Sequence, residues 1–401
     1  MLSIRSSRAP EPKRFSPSRP DSFEGACAPP SGPRRGPPGP PENAPLGLGA
    51  VFLSIGNVSH VELPFVAACR RQAVPHTPVW LMRQAGRYLP EYRAIREKMG
   101  FLDLCRTPEV ASEVTVQPIE RFGMDAAILF ADILLPLEPL GLGLSFEKGD
   151  GPALARPIRQ VADVHQLPAV DVDESLAFVF ETVRQVRQRL EGKTALIGFA
   201  GAPFTLASYA IEGGGSRNYL ETKRFMYSEP EAWQELMRKL VKVTVDYLNG
   251  QVAAGAQAIQ VFDSWVGHLA PEDYETAILP HMKDLFSQLD SSVPTIYFGT
   301  GTPGILELIA AAGSDVVGID WRIRMNEAWA RVGHDRAVQG NLDPLLLFAP
   351  PETIRARVRQ ILEETEGRPG HIMNLGHGIL PQTPIDSVRC FVDSVHELSA
   401  R

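Results

Sequence analysis

The amino-acid sequence predicts an α/β protein built as a single (β/α)8 barrel of the TIM type. Three observations predict it. Eight short apolar runs recur between Val79 and Leu375. Stretches with helical hydrophobic period separate most of them. Polar residues and glycines collect directly after the runs, at the face where barrels of this class carry their chemistry. The count of eight favours the barrel over a doubly wound open sheet.

The runs are Val79–Met82, Ala126–Ala131, Ala195–Ala200, Ala258–Phe262, Thr295–Phe298, Asp315–Ile319, Ala337–Gly340 and His371–Leu375. Several are continuously apolar, as strands buried on both faces should be. Between them, Leu176, Val179, Val183, Val186 and Leu190 make one helical stripe. Ile385, Val388, Phe391, Val392 and Val395 make another on the last helix. Thr107-Pro108-Glu109 and Thr383-Pro384-Ile385 read as helix starts, where proline is tolerated. One G-x-G-x-x-G occurs, Gly299 to Gly304, with Asp320 at a distance suited to a ribose contact. It follows the fifth run rather than the first, so it reads as a tight strand-to-helix turn.

Composition narrows the function classes. With 401 residues, 44% of them hydrophobic, a sizeable core is available. A net charge of −7 argues against a nucleic-acid partner. No apolar run approaches the roughly 18 residues of a membrane span; Ala126–Leu137 is broken by Asp132 and Pro136. The four cysteines, Cys27, Cys69, Cys105 and Cys390, are scattered, with no local zinc motif and no disulfide framework expected. That pattern suits a reduced, cytoplasmic setting.

Residues 1–57 differ from the rest and hold 12 of the 35 prolines. Such a segment buries too little apolar surface to offset its ordering entropy, and it reads as disordered. It is open to three readings: a plastid-type transit segment, a genuine flexible tail, or a start assigned upstream of a true beginning near Val58. The barrel domain is expected over residues 58–401.

The ends of the runs supply the chemistry-bearing residues. Arg83 ends the first run, and Arg87 follows four residues later with Gly86 between. Two guanidinium forks at a strand end suit a polycarboxylate ligand; on a helix the pair would instead be a solvated face paired with Glu91. Asp132 ends the second run after six apolar or small residues. It reads either as an ion-pair partner for a rim arginine or as an acceptor for ligand N–H groups. Tyr209, Ser264 and His377 lie near the ends of the third, fourth and eighth runs. Gly376 and Gly378 flank His377 and would let the backbone approach a ligand closely. No lysine lies at a run's end, so a Schiff-base mechanism has no candidate.

These segments resemble the uroporphyrinogen decarboxylase family. Pro78 to Arg93 resembles its N-terminal signature, and Phe130-Ala131-Asp132-Ile133-Leu134 its aspartate motif. Gly198 to Thr205, followed by Tyr209 and Glu212-Gly213-Gly214, resembles its second signature. Phe262-Asp263-Ser264-Trp265 and Asn374 to Gly378 complete the set. The resemblance runs from about residue 60 to the C-terminus and is closest to the bacterial branch. It implies a distorted barrel, a homodimer, and removal of carbon dioxide from the acetate arms of uroporphyrinogen III without metal or cofactor. It also implies substrate contacts from Arg83, Gln84, Ala85, Gly86 and Arg87, and from Asp132, Tyr209, Ser264 and His377. Asp132 and Arg83 are the expected catalytic residues. Two other readings stand beside it: a zinc-dependent corrinoid or thiol methyltransferase on the same barrel, and a non-catalytic tetrapyrrole carrier. Against the first, the residues after His377 are Gly378 and Ile379, and the nearest cysteine is Cys390.

Overall fold

A computed structural model describes residues 62–86, 88–147 and 151–401. The proline-rich segment 1–57 and Arg87 lie outside the described residues.

Seven of the eight runs form one parallel sheet. Its strands are β1 (Ala126–Ile128), β4 (Ala195–Gly201), β5 (Ala258–Asp263), β6 (Thr295–Gly299), β7 (Val316–Gly318), β8 (Ala337–Gln339) and β9 (His371–Ile372), side by side in chain order. Parallel neighbours need a crossover, and helices supply it between most strands. Registers such as Ala126↔Ala195, Ile259↔Thr295 and Val338↔His371 keep the C-terminal ends along one rim. The two further strands, β2 (Leu144–Glu147) and β3 (Gly151–Leu154), form an antiparallel hairpin after β1 that was not among the expected elements.

The first run, Val79–Met82, is not a full strand. Val79 makes a single parallel bridge to Met373. Around it, Trp80 N–H donates to Met373 O (3.3 Å), Met373 N–H to Pro78 O (2.8 Å) and Asp125 N–H to Val79 O (2.9 Å). The run therefore takes the eighth place, between β9 and β1. Its ladder stops because side chains take the next amides: Leu81 N–H donates to Gln84 Oε1 (2.9 Å) and Met82 N–H to Asn374 Oδ1 (3.1 Å). β1 ends early for a similar reason, since Phe130 N–H donates to the Thr115 hydroxyl (2.9 Å) on the helix Pro108–Phe122.

The helices bury the stripes the sequence marks. In Ala177–Leu190, Val179, Val183, Val186 and Leu190 are buried; in Ile385–Ser399, Val388, Phe391, Val392 and Val395 are. The long helix Pro230–Ala254 inserts a polar side chain into the sheet. Gln251 accepts from Phe199 N–H (2.9 Å) and donates to Phe199 O (3.0 Å), satisfying a backbone pair that β4 leaves open. Gly198 makes room, since a Cβ there would lie 2.6 Å from Gln251 Oε1. A second buried polar chain crosses between strands: Trp80 Nε1–H donates to Gln339 Oε1 (2.9 Å), and Gln339 Nε2 to Gln260 Oε1 (3.2 Å). Among the described residues no helix is long and apolar enough to cross a membrane.

The Gly299–Gly304 segment is the tight turn expected, leading into a 3-10 turn at Pro303–Ile305. Asp320 is not poised for a ribose. It is buried, and it accepts from Gly301 N–H (2.5 Å), Arg322 N–H (2.9 Å) and the Arg322 guanidinium (2.7 Å).

His371 on β9 gives the fold a testable acid response. Its ring is buried, with Nε2 2.9 Å from Gly340 O. Burial pushes its pKa down to about 4, against the pull of the Gly340 carbonyl. An unfolded histidine protonates near 6.5. Between those values the unfolded chain binds a proton that the folded chain refuses, so stability falls as pH falls through the window. The raised carboxyls of Asp132 and Asp263 work in the opposite sense. His371→Gln removes only the histidine contribution. Denaturant unfolding at pH 7 and pH 5 should therefore show a smaller acid loss, or a larger acid gain, in the variant. Parallel pH profiles for the two proteins would refute this account.

Candidate active site

The site is assembled at the C-terminal rim. Arg83 follows directly after the first run. Its φ of +65° is left-handed, an uncommon conformation for a residue with a side chain. The guanidinium-bearing side chain is exposed and lies across Gly378: a Cβ added to Gly378 would sit 2.6 Å from Arg83 Cδ and 3.0 Å from Nε. The two segments are held in place by Ile379 N–H donating to Met82 O (2.9 Å).

Asp132 follows β1 beyond the buried Leu129 and Phe130. Phe130 packs between Tyr92 (5.6 Å) and Phe101 (5.7 Å). Asp132 Oδ1 accepts from Leu134 N–H (2.9 Å). Burial raises the carboxyl to about 6, while the Leu134 amide and the Arg83 charge oppose the rise. The group is thus still largely ionised at pH 7, but held there weakly.

Tyr209 lies on the helix Pro203–Glu212, which follows β4. Its ring is 5.9 Å from that of Trp265, which in turn packs on Tyr219 at 5.5 Å. Burial and the Asp132 charge push the phenol up to about 12, so it is a neutral hydrogen-bonding group. His377 faces the edge of Trp321 at 6.1 Å, and the Arg322 guanidinium stacks on that indole at 3.9 Å. Burial, then the Arg83 charge, lowers the His377 pKa, which keeps the ring neutral at pH 7.

Arg83 therefore acts electrostatically on Asp132, Tyr209 and His377 together, and these four form one constellation. Ser264 sits at the end of β5 between Asp263 and Trp265, joined to the group through the Trp265 ring beside Tyr209. Ala85 and Gly86 follow the turn that carries Arg83, which Gln84 N–H closes by donating to Leu81 O (2.9 Å). Gln84 is fully buried, its side chain accepting from Leu81 N–H and donating to Ala126 O (2.9 Å), so it shapes the turn. Gly376 departs from expectation: its close approach is to the backbone of Trp321, 2.4 Å from a Cβ added there, not to the cleft.

Three participants were not singled out from sequence. Asn374 is buried and accepts from both Met82 N–H and Leu375 N–H (2.7 Å), pinning the first run to the last. Trp321 and Arg322 stand against His377. Their signal was available in the segment Asp320-Trp321-Arg322, directly after a run. Asp263, although at a strand end, is fully buried and accepts from Thr205 (2.7 Å) and Tyr297 (2.8 Å) hydroxyls, so it serves the wall. Among the described residues, no group of three His, Cys, Asp or Glu ligands gathers at this rim.

The rim of this barrel thus sets a carboxylate with a raised pKa within reach of an arginine charge. The family model for uroporphyrinogen decarboxylase matches residues 62–398, and the chain belongs to that family. The uroporphyrinogen decarboxylase of Carboxydothermus hydrogenoformans is 56% identical over 337 residues, covering 84% of this chain and 96% of its own. That of Sorangium cellulosum is 54% identical over 335 residues, covering 83% and 96%. Among solved structures, a methyltransferase from Methanosarcina mazei superposes with a TM-score of 0.71 at 18% identity, covering 83% of this chain and 97% of its own. At that identity the likeness concerns the fold.

Gly378 provides a clean test of the Arg83 placement. Its backbone is outside the left-handed region, so alanine adds only the contact with Arg83. Displacing one charge-assisted donor should raise KM about 10- to 100-fold for an anionic substrate. The melting temperature should stay close to that of the parent. Unchanged KM in folded Gly378→Ala would mean that Arg83 does not hold substrate in this position.

Proposed function

We propose that this chain removes carbon dioxide from the four acetate arms of uroporphyrinogen III to give coproporphyrinogen III, within porphyrin and haem biosynthesis. The observation that carries the proposal is the family match over residues 62–398, with Arg83, Asp132, Tyr209 and His377 coupled on one rim. We further propose that the reaction needs no cofactor, that the active form is a cytoplasmic homodimer, and that residues 58–401 are the catalytic unit. If residues 1–57 act as a transit segment, the compartment is the plastid.

The chemistry needs an electron sink, and the substrate can supply it. Protonation of a pyrrole ring carbon gives an iminium-like cation. The electrons of the breaking bond to the carboxylate then flow into that cation as carbon dioxide leaves. Proton transfer to the exposed methylene carbon and loss of the ring proton leave a methyl group. The net change replaces a carboxylate by one proton. Asp132, ionised and poorly solvated, accepts from the pyrrole N–H groups and stabilises the cation where charge develops. Arg83 and Arg87 hold substrate carboxylates, each charge-assisted bond contributing about 1.5–3 kcal/mol. Ala85 and Gly86 follow the turn that carries Arg83, with Gln84 as its internal support. Tyr209, Ser264 and the neutral His377 orient the remaining arms. The methyltransferase alternative lacks support at the rim, where the described residues gather no zinc-type ligand set.

The deciding experiment is anaerobic incubation of purified full-length protein with reduced uroporphyrinogen III and chelator, followed by oxidation and separation by carboxyl number. Stepwise seven- to four-carboxyl products are expected. Recovery of only the eight-carboxyl species from folded protein would favour a carrier.

Asp132→Asn should lower kcat by about 10²–10³ or more, the scale of losing one electrostatic stabiliser. The parent kcat/KM should fall as pH drops through about 6, where the carboxylate is lost. The stability sign is opposite. A carboxyl with a raised folded pKa favours folding fully below its unfolded value near 3.9 and loses that contribution as pH rises through 6. Removing the charge should therefore raise the melting temperature at pH 7. A variant that is both active and no more stable would remove Asp132 from this role.

A further inference from the structure

The opposite end of the barrel carries a second cluster. Asp125 immediately precedes β1, so it lies at the N-terminal face, while Asp132 follows the same strand at the other end. His76 comes from the loop before the first run, and His396 from the last helix. His76 Nε2 is 2.7 Å from Asp125 Oδ1, and His396 Nε2 is 2.9 Å from Oδ2. The two rings meet edge to face at 4.6 Å. One donor atom from each residue lies within 4.8 Å of the other two.

We propose that His76, Asp125 and His396 form a binding site for a divalent cation of the zinc type, at the opposite end of the barrel from Asp132. Two imidazoles and a carboxylate are a donor set suited to zinc. Both rings aim the same nitrogen, Nε2, at one carboxylate, so an ion can replace both bridging protons at once. Zinc bonds of about 2.0–2.2 Å require ligand atoms somewhat more than 3 Å apart. The two histidines now bond different oxygens of Asp125, and one donor atom from each of the three residues lies within 4.8 Å of the others, so small side-chain rotations would bring the set to that spacing. The side chains keep 26%, 12% and 31% of their surface exposed for His76, Asp125 and His396, leaving a path in and an open coordination position. Val79 N–H donates to Asp125 Oδ2 (2.8 Å) and fixes the carboxylate from behind, as supporting hydrogen bonds do at metal sites. The three ligands come from segments far apart in sequence. A bound ion would tie the first run, β1 and the last helix together at the seam where the barrel closes.

The test uses full-length protein stripped with chelator and titrated with zinc chloride by calorimetry, and in parallel with cobalt(II) chloride by visible absorption. One ion per chain, a rise in melting temperature at saturating zinc, and a cobalt spectrum distinct from the aqueous ion are expected. His76→Gln and His396→Gln should each weaken zinc binding at least about tenfold, a typical loss even for supporting residues. Both variants should retain zinc-free activity, because the cluster lies at the far end of β1 from Asp132. No stoichiometric binding, an aqueous-type cobalt spectrum, or undiminished binding in both variants would overturn the proposal. The cluster would then be a hydrogen-bonded clamp only.

Discussion

The structure depends on how the first run is seated between β9 and β1. Val79 pairs with Met373 on one side, and its carbonyl takes the Asp125 amide on the other. This is a short seam, one bridge long, and side chains complete it. Asn374 holds Met82 N–H, Gln84 spans from Leu81 N–H to Ala126 O, and Asp125 receives Val79 N–H. Each of these bonds satisfies a backbone group that a regular ladder would have satisfied, and leaving one unpaired in the interior would cost about 1–3 kcal/mol. The seam sets where Arg83 emerges. Its left-handed backbone then turns the side chain over Gly378, toward Asp132 and His377.

Three carboxylates at strand ends show how surroundings divide structural from chemical roles. Asp263 is held by two hydroxyls, from Thr205 and Tyr297, on neighbouring elements. Asp320 is saturated by two backbone amides and the Arg322 guanidinium. Asp132 accepts the Leu134 backbone amide and lies within reach of the Arg83 charge. A carboxylate short of solvation is costly to keep charged. The same deficit makes it a strong acceptor for N–H groups and a strong partner for a cation. Stability is given up locally at Asp132 while Asp263 and Asp320 keep the walls in place.

Much of this was legible along the chain. Seven of the eight runs became adjacent parallel strands because a continuous apolar run bounded by glycine and polar residues has few other ways to be buried. The helical stripes at Val179 to Leu190 and Val388 to Val395 followed from period alone. Less legible were features that arise from competition for backbone amides. The first run and β1 end early because Gln84, Asn374 and Thr115 intercept N–H groups, and Asn374 and Thr115 are distant in sequence from the amides they take. The hairpin at Leu144–Leu154 is short and half-exposed, so its apolar signal is weak.

The sequence by itself determined the layered order of strands and helices, the rim on which Arg83, Asp132, Tyr209, Ser264 and His377 are strung, and the family. These depend on residue type and spacing, which are local. Only the tertiary structure decided that Gln84 and Gly376 are parts of the frame, that Trp321 and Arg322 stand beside His377, and that His76 and His396 share Asp125 at the other face. Those facts depend on which side chains meet across the barrel seam. Contacts between residues hundreds of positions apart leave no periodic trace in one chain, because their geometry exists only once the sheet has curled.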